Sequence, residues 1–358
     1  MSLDLTDLRD GDPVSAHDLL VRAGRAEVLA RQLREASVRD LMMPDAARLD
    51  DQRRLALRTL IRAVVENLSA AIGDRTRHLL SERDKNGALQ ALSFVDTSRI
   101  LPMVESCLTC DAAVAGDLID RVTLDLIGEN LPSGVFAAKA APWPAGLRTL
   151  DKRLATVRRA ESRRRVSPGE ASGPLDLSAE SLSQFGWWIA ASFARTADSN
   201  GDDRIALEQA LADATGQVLA THDDREQLER AALSVAETLD LYGDALAAVV
   251  EHCLAERRIV LLTAFLAHGL GISMSATGSM IVDPGNLRLW LSLRALDLPP
   301  ETVARLGYAI CDADRRRNVT SFAEGLHRIL AIPREAADAA LSPLRLPDAF
   351  HAAMGALA

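Results

Sequence analysis

The chain has 358 residues, of which 48% are hydrophobic and 25% charged, a composition typical of folded globular proteins and not of disordered ones. Its formal net charge of −9 argues against binding nucleic acid over the whole surface, because a phosphate backbone repels an acidic protein. Only 4% of the residues are aromatic, whereas Ala and Leu are abundant, and this balance favours helices over sheets.

The cysteines and the N-terminus indicate the compartment. The four cysteines, Cys107, Cys110, Cys253 and Cys311, are too few and too scattered for a disulfide framework. The first residues, MSLDLTDLRDGD, are acidic and lack the basic-then-apolar order of a secretory signal. We therefore expect a cytoplasmic protein.

One apolar stretch, 259–282, contains no Asp, Glu, Lys or Arg and has the length of a membrane span. Its dense apolar part, IVLLTAFLAHGL, has only the length of a core helix, and Gly269 and Gly271 then favour a helix end. The stretch is therefore predicted to form two buried helices, without contact to a membrane.

Apolar residues recur at helical spacing along most of the chain. In 50–72 the predicted buried face comprises Leu55, Leu57, Leu60, Ile61, Val64, Val65, Leu68 and Ile72. Further helices are predicted at 15–36, 74–92, 98–109, 111–128, 147–163, 178–196, 203–220, 224–241, 245–268, 285–296, 300–312, 319–330 and 334–341. Their starts are indicated by Asp50 or Asp51, Ser15, Ser178, Asp202, Asp223 and the Pro299–Pro300–Glu301 run.

The helical pattern predicts an all-α, multi-helical fold with little or no sheet, since no alternation of period two is bounded by turn signals. Helices of this length joined by short turns form antiparallel pairs in a bundle or in a short HEAT-like α-solenoid. DDQRRLALRTLIRAV and DDREQLERAALSVAE resemble each other weakly and favour the solenoid, although no repeat period emerges.

Two irregular stretches interrupt the helices. VSPGEASGP at 166–174 combines Pro and Gly, and LPSGVFAAKAAPWPAG at 131–146 carries three prolines. We predict an N-terminal helical region at 1–165 that ends in a basic helix, a linker at 166–176, and a C-terminal helical region at 177–358.

Several segments share a family pattern. They are RLDDQRRLALRTLIRAVVENL, RRAESRRR, LDLSAESLSQFGWWIAASF, CLAERRIVLLTAFLAHGL and LWLSLRALDLPPETVARLGYAI, within about residues 45–320. The most specific piece is the arginine-rich run followed at a distance by Trp187–Trp188. Together they resemble the alphaproteobacterial family known as domain of unknown function 2336. The resemblance implies a cytoplasmic helical protein with a regulatory role, and it brings no catalytic residues to this chain.

DSNGDDRIALEQ at 198–209 is similar to a calcium-binding EF-hand loop, with Asp198, Asn200 and Asp202 in the first ligand positions. The sixth position holds Asp203 instead of the usual Gly, and the twelfth holds Gln209 instead of a bidentate Glu. We therefore interpret the segment as a polar turn in which Asp202 or Asp203 caps the next helix, and we predict no bound metal.

Other motifs of catalysis and cofactor binding are incomplete. Cys107-Leu-Thr-Cys110 lacks two further zinc ligands and the preceding strand of thioredoxin-like redox sites, so buried free thiols are predicted at a helix junction. There is no HExxH, GxSxG or GxxxxGK[ST] pattern, and Gly269-Leu-Gly271 lacks a third glycine. We predict no catalytic residue and no cofactor.

The segment 148–165 holds eight basic and two acidic residues, a net charge of +6. Guanidinium groups bind carboxylates and phosphates, so this strip is a candidate docking surface. The predicted partner-binding residues are Arg158, Arg159, Arg163, Arg164 and Arg165. The alternative is a solvated face that pairs with the protein's own acidic residues.

The function predicted from these features is a non-enzymatic helical scaffold or regulator that binds another protein. Two alternatives stay open: binding of nucleic acid or a nucleotide through the strip 148–165, and an enzyme with a pocket between helices. Neither the partner nor the oligomeric state follows from the sequence.

Overall fold

A computed structural model describes residues 49–132, 151–165, 176–222, 227–285, 287–347, 350 and 353–354. Over these residues the protein contains α-helices and short 3₁₀ helices but no strand, so the predicted all-α fold class is confirmed. The α-helices are α1 (Asp51–Glu82), α2 (Asn86–Ser93), α3 (Ile100–Leu108), α4 (Ala112–Asn130), α5 (Asp151–Arg165), α6 (Ala179–Thr196), α7 (Gly201–Ala220), α8 (Leu228–Leu239), α9 (Gly243–Ala255), α10 (Ile259–Leu270), α11 (Met274–Val282), α12 (Leu287–Ala295), α13 (Pro300–Ala313), α14 (Val319–Ala331) and α15 (Arg334–Leu341).

Some predicted features lie outside the described residues. They are the helix at 15–36, the caps Ser15 and Asp223, residues 133–146 of the proline-rich stretch and residues 166–175 of the linker. The solenoid repeat stays a prediction.

Contacts divide the chain into two compact units, each assembled from separate stretches. Within the described residues, unit A comprises 49–119, 158–165, 176–222 and 227–230, and unit B comprises 120–132, 151–157, 231–285, 287–347, 350 and 353–354. Each unit thus draws on both sides of the predicted linker at 166–176, because helices far apart in the sequence pack together.

Unit A is built around the long helix α1, which packs against α6 and α7. Asp50 begins α1 as predicted, and its Oδ1 accepts a hydrogen bond from the Arg53 backbone N–H at 2.8 Å. The predicted face is buried from Leu57 to Ile72, but Leu60 is only half-buried. Leu55 is 69% exposed, which corrects its assignment to the core.

Helices α6 and α7 form an antiparallel pair in unit A. The side chain of Ser178 caps α6 as predicted, accepting from the Ser181 N–H at 3.2 Å. The pair approaches closely at Gly186, where an added Cβ would lie 3.3 Å from a methyl carbon of Leu219. Phe185 is fully buried in this packing.

The core of unit B surrounds Trp290 of α12, which is fully buried. Its ring lies 4.8 Å from that of Phe322 on α14, centroid to centroid. Phe322 in turn packs directly on Gly307 of α13, where any side chain would overlap the ring. Pro300 is the first residue of α13, as the sequence predicts.

The predicted helix at 245–268 is two helices, α9 and α10. The break lies at Arg257, which has a φ of +57° although it is not a glycine. The Arg258 N–H then donates to the Cys253 carbonyl at 2.8 Å and closes the end of α9. No glycine or proline announces this break in the sequence, and the prediction of one continuous helix was wrong.

The apolar stretch 259–282 forms two helices, as predicted. Among the described residues, no individual helix has both the length and the apolar character needed to cross a bilayer. Only α10 and α11 taken together meet those criteria, and they are bent by 118° at their junction.

Candidate interaction surface

Helix α5 carries the predicted docking strip. Its apolar residues Leu154, Val157 and Ala160 recur every third position and are buried, so one side of the helix faces protein. Arg158 and Arg159 fall on other sides of the helix and are exposed. These two residues are called the exposed arginine pair below.

Arg164, also predicted to bind a partner, lies inside unit A. Its Nη1 donates to Oδ2 of Asp176 at 3.2 Å, and both side chains are only 5% exposed. The same nitrogen also donates to Glu229. Arg164 is therefore an internal partner of the protein's own carboxylates, as the alternative interpretation of the strip expects.

The remaining arginines of the strip differ from one another. Arg163 is half-buried, and the side chain of Arg165 lies outside the described residues. Arg153, in unit B, donates to the carbonyl of Ser234 at 2.8 Å and to its hydroxyl at 2.9 Å. Among the predicted partner-binding residues whose side chains the structure describes, Arg158 and Arg159 are the two that are exposed.

Asp176 connects two parts of unit A. Its Oδ1 accepts a hydrogen bond from the backbone N–H of Leu228 at 2.9 Å, while its Oδ2 holds Arg164. Because the first N–H groups of a helix have no partner within the helix, this bond caps α8 from a distance. Beside it, the side chain of Gln227 donates to the carbonyl of Leu177. Asp176, at the end of the predicted linker, is therefore a buried structural residue.

A second charged cluster in unit B surrounds Asp314. Arg316 Nη2 donates to Asp314 Oδ2 and to the Val282 carbonyl, at 2.8 and 2.9 Å. Arg317 binds the same carboxylate at 3.2 Å and the carbonyl of Ile281. Burial lowers the pKa of Arg317, and the Asp314 charge counteracts that shift. The two guanidinium groups cap the last carbonyls of α11, a structural role that matches the negative end of the helix dipole.

A third polar cluster joins Asp240, Tyr242 and His268. The Tyr242 hydroxyl and His268 Nε2 both lie 2.8 Å from Asp240 Oδ1. The hydrogen bond with His268 is the largest cause that lowers the pKa of Asp240, and the bond from Tyr242 is the second. The same bond to Asp240 raises the pKa of Tyr242. In a hydrolytic triad a nucleophilic side chain is hydrogen-bonded to the histidine. No Ser, Thr or Cys side chain among the described residues forms such a bond with His268.

The EF-hand-like segment is mostly helical. Helix α7 begins at Gly201, so the later ligand positions lie on a helix and not in the wrapping loop that an EF-hand needs. The N-cap is Asn200, with Asp202 and Asp203 in the first turn, which corrects the predicted cap. The Asp203 carboxylate lies against Gly87 in the first turn of α2, where negative charge is favourable.

The cysteine pair is more accessible than predicted. Cys107 is half-buried and Cys110 is exposed, whereas Cys253 and Cys311 are buried. The prediction of buried thiols at this junction is therefore wrong for Cys110. The reason is that α3 ends at Leu108, which leaves Cys110 in the turn before α4.

Metal ligands are not grouped in the described ranges: no cluster of three or more His, Cys, Asp or Glu side chains is positioned to hold an ion there.

No protein-family model, no curated protein and no solved structure matches the chain.

Proposed function

We propose that this chain is a non-enzymatic helical scaffold or regulator that binds an acidic partner protein through the exposed arginine pair. One observation carries the proposal: Arg158 and Arg159 occupy consecutive positions of α5 and are both exposed, whereas the side chain of Arg164 on the same helix is buried. Exposed guanidinium groups bind carboxylates through charge-assisted hydrogen bonds, and an acidic protein surface supplies such carboxylates.

A protein fits this surface better than a nucleic acid does. The chain has a net charge of −9, which repels a phosphate backbone, and proteins that bind nucleic acid neutralise several phosphates with Lys and Arg. Each exposed guanidinium group can bind one carboxylate on a protein in a bidentate manner. Trp187 of α6, also in unit A, is 45% exposed, and Trp and Arg are among the residue types enriched at protein interfaces.

The cytoplasmic location and the relation to domain of unknown function 2336 belong to the same proposal. The few and scattered cysteines support the location, and the arginine-rich run followed by Trp187–Trp188 supports the family.

The test compares two charge-reversal variants that change the net charge equally. Arg158→Glu/Arg159→Glu alters the exposed pair, and Arg62→Glu/Arg230→Glu alters two exposed arginines elsewhere in unit A. Each variant and the wild type are used to capture proteins from an extract of the source cells. The proposal expects a protein that the wild type and the control retain and the pair variant loses.

Salt dependence distinguishes the kinds of partner. A protein interface with apolar anchors loses affinity gradually as salt rises, whereas a polyanion bound by its phosphates is released steeply. Equal capture by all three proteins would contradict the proposal, and so would loss of the captured material on nuclease treatment.

A further inference from the structure

Cys107 and Cys110 share one turn between α3 and α4. The backbone N–H of Cys110 donates to the carbonyl of Cys107 at 2.9 Å. A turn closed by such a bond keeps its end Cα atoms within about 7 Å, and a disulfide spans Cα atoms about 4.4–6.8 Å apart. Side chains three residues apart in a helical turn also lie on the same side.

The surroundings leave Cys110 open to reagents. Its thiol is exposed and lies 3.8 Å from the Ser106 carbonyl and 3.7 Å from the Thr109 hydroxyl, both in the same turn. Cys107 is half-buried and stands three residues earlier in the turn that the backbone hydrogen bond from Cys110 to Cys107 closes. An exposed thiol with a second thiol beside it is the arrangement of a nucleophile and its resolving partner.

We propose that Cys107 and Cys110 form a redox-responsive dithiol, which low-molecular-weight disulfides such as glutathione disulfide oxidise to an intramolecular disulfide. The Cys110 thiolate attacks one sulfur of glutathione disulfide, forms a mixed disulfide and releases one glutathione thiolate. The Cys107 thiolate then attacks the Cys110 sulfur and releases the second glutathione. The two protein thiols are oxidised, the glutathione disulfide is reduced, and the two thiol protons pass to the released glutathiones.

The position suits reversible oxidation. A disulfide between residues three apart closes a very short loop, so it removes little entropy from the unfolded chain. Exposed disulfides of this kind are readily reduced again. The bond would constrain the turn in which Asp111 caps α4, since Asp111 Oδ1 accepts from the Val114 N–H at 3.1 Å.

The other two cysteines act as internal controls. Both are buried, and burial raises the pKa of Cys311 to about 11. At neutral pH its thiolate fraction is therefore about 100-fold below that of an ordinary thiol, and only the thiolate reacts.

The experiment treats the reduced full-length protein with glutathione disulfide and maps the thiols by mass spectrometry. In the wild type we expect a peptide containing residues 107–110 that is two hydrogens lighter, while Cys253 and Cys311 stay reduced. Cys107→Ser should instead keep a persistent glutathione adduct on Cys110. Cys110→Ser removes the thiol that attacks first, so Cys107 should stay reduced in this variant. Dithiothreitol should restore the wild-type thiols.

Two results would overturn the proposal. One is a persistent glutathione adduct on Cys110 in the wild type, with Cys107 still free. The other is a disulfide between two chains through Cys110. Circular dichroism of each variant before oxidation verifies that the comparison is made on folded protein.

Discussion

The guanidinium of Arg164 lies 3.2 Å from the carboxylate of Asp176, and each side chain is only 5% exposed. The pair joins α5 to the chain just before α6, and through Leu228 to the start of α8. An ion pair shielded from water interacts more strongly than one on the surface. Residues 158–165 of the basic helix are therefore a structural element of unit A as well as a candidate docking surface.

Replacing Asp176 should destabilise the protein, and two substitutions distinguish the contributions of its two contacts. Asp176→Ala removes the buried counter-charge of Arg164 and the cap of α8, and the loss of one buried partner costs about 3–5 kcal/mol. Asp176→Asn keeps an oxygen that can accept from the Leu228 N–H, so it should lose roughly 1 kcal/mol less. Urea unfolding measures both changes. Two variants within about 0.5 kcal/mol of the wild type would show that the pair does not stabilise the fold.

Gly307→Ala should destabilise unit B, because the new methyl group overlaps the ring of Phe322, which is held against Trp290. Overpacking costs about 1–3 kcal/mol, more than the gain of up to about 1 kcal/mol from helix propensity. Gly278→Ala is the matched control, since its added Cβ meets nothing within 4 Å. Thermal unfolding should show a lower midpoint for the first variant and an unchanged or higher one for the second. The opposite order would refute the packing described at Gly307.

Acid should weaken the contact between Asp338 and Arg345. The hydrogen bond from Arg345 lowers the pKa of Asp338 below its ordinary value of 3.8. A carboxyl group whose pKa is lower in the folded state stabilises the fold above its unfolded pKa and loses that contribution as the pH falls through the folded pKa. The side chain of Asp338 is about half exposed, so we expect a small effect.

Unfolding free energies of the wild type and Asp338→Asn, measured from neutral to strongly acidic pH, check this sign. Their difference should be constant near neutrality and shrink below about pH 4, near the ordinary carboxyl pKa. A difference that does not vary with pH would contradict the assignment.

Local features of the fold could be predicted from the sequence because their causes are local. Asp50 and Ser178 cap helices as expected, and Gly271 ends α10 with a φ of +64°. Each effect depends on residues within one helical turn. Arg257 is the exception, because a left-handed arginine has no local signature and depends on the packing of α9 and α10.

The candidate site was predictable only in part. The composition of 148–165 identifies a basic helix, but it does not distinguish Arg158 from Arg164. Arg164 finds its partners 12 and 65 residues away, at Asp176 and Glu229. Pairing over such distances depends on tertiary packing, and Asp176 therefore looked like part of a linker.

The division of α5 into a buried ion pair and an outward-facing arginine pair is tested most directly by urea unfolding of two variants. Arg164→Ala leaves a buried carboxylate without its main counter-charge and should lose about 3 kcal/mol or more. Arg158→Glu/Arg159→Glu changes two exposed charges and should stay within about 1 kcal/mol of the wild type. The division is contradicted if Arg164→Ala has the same unfolding free energy as the wild type. It is also contradicted if Arg158→Glu/Arg159→Glu loses about 3 kcal/mol or more.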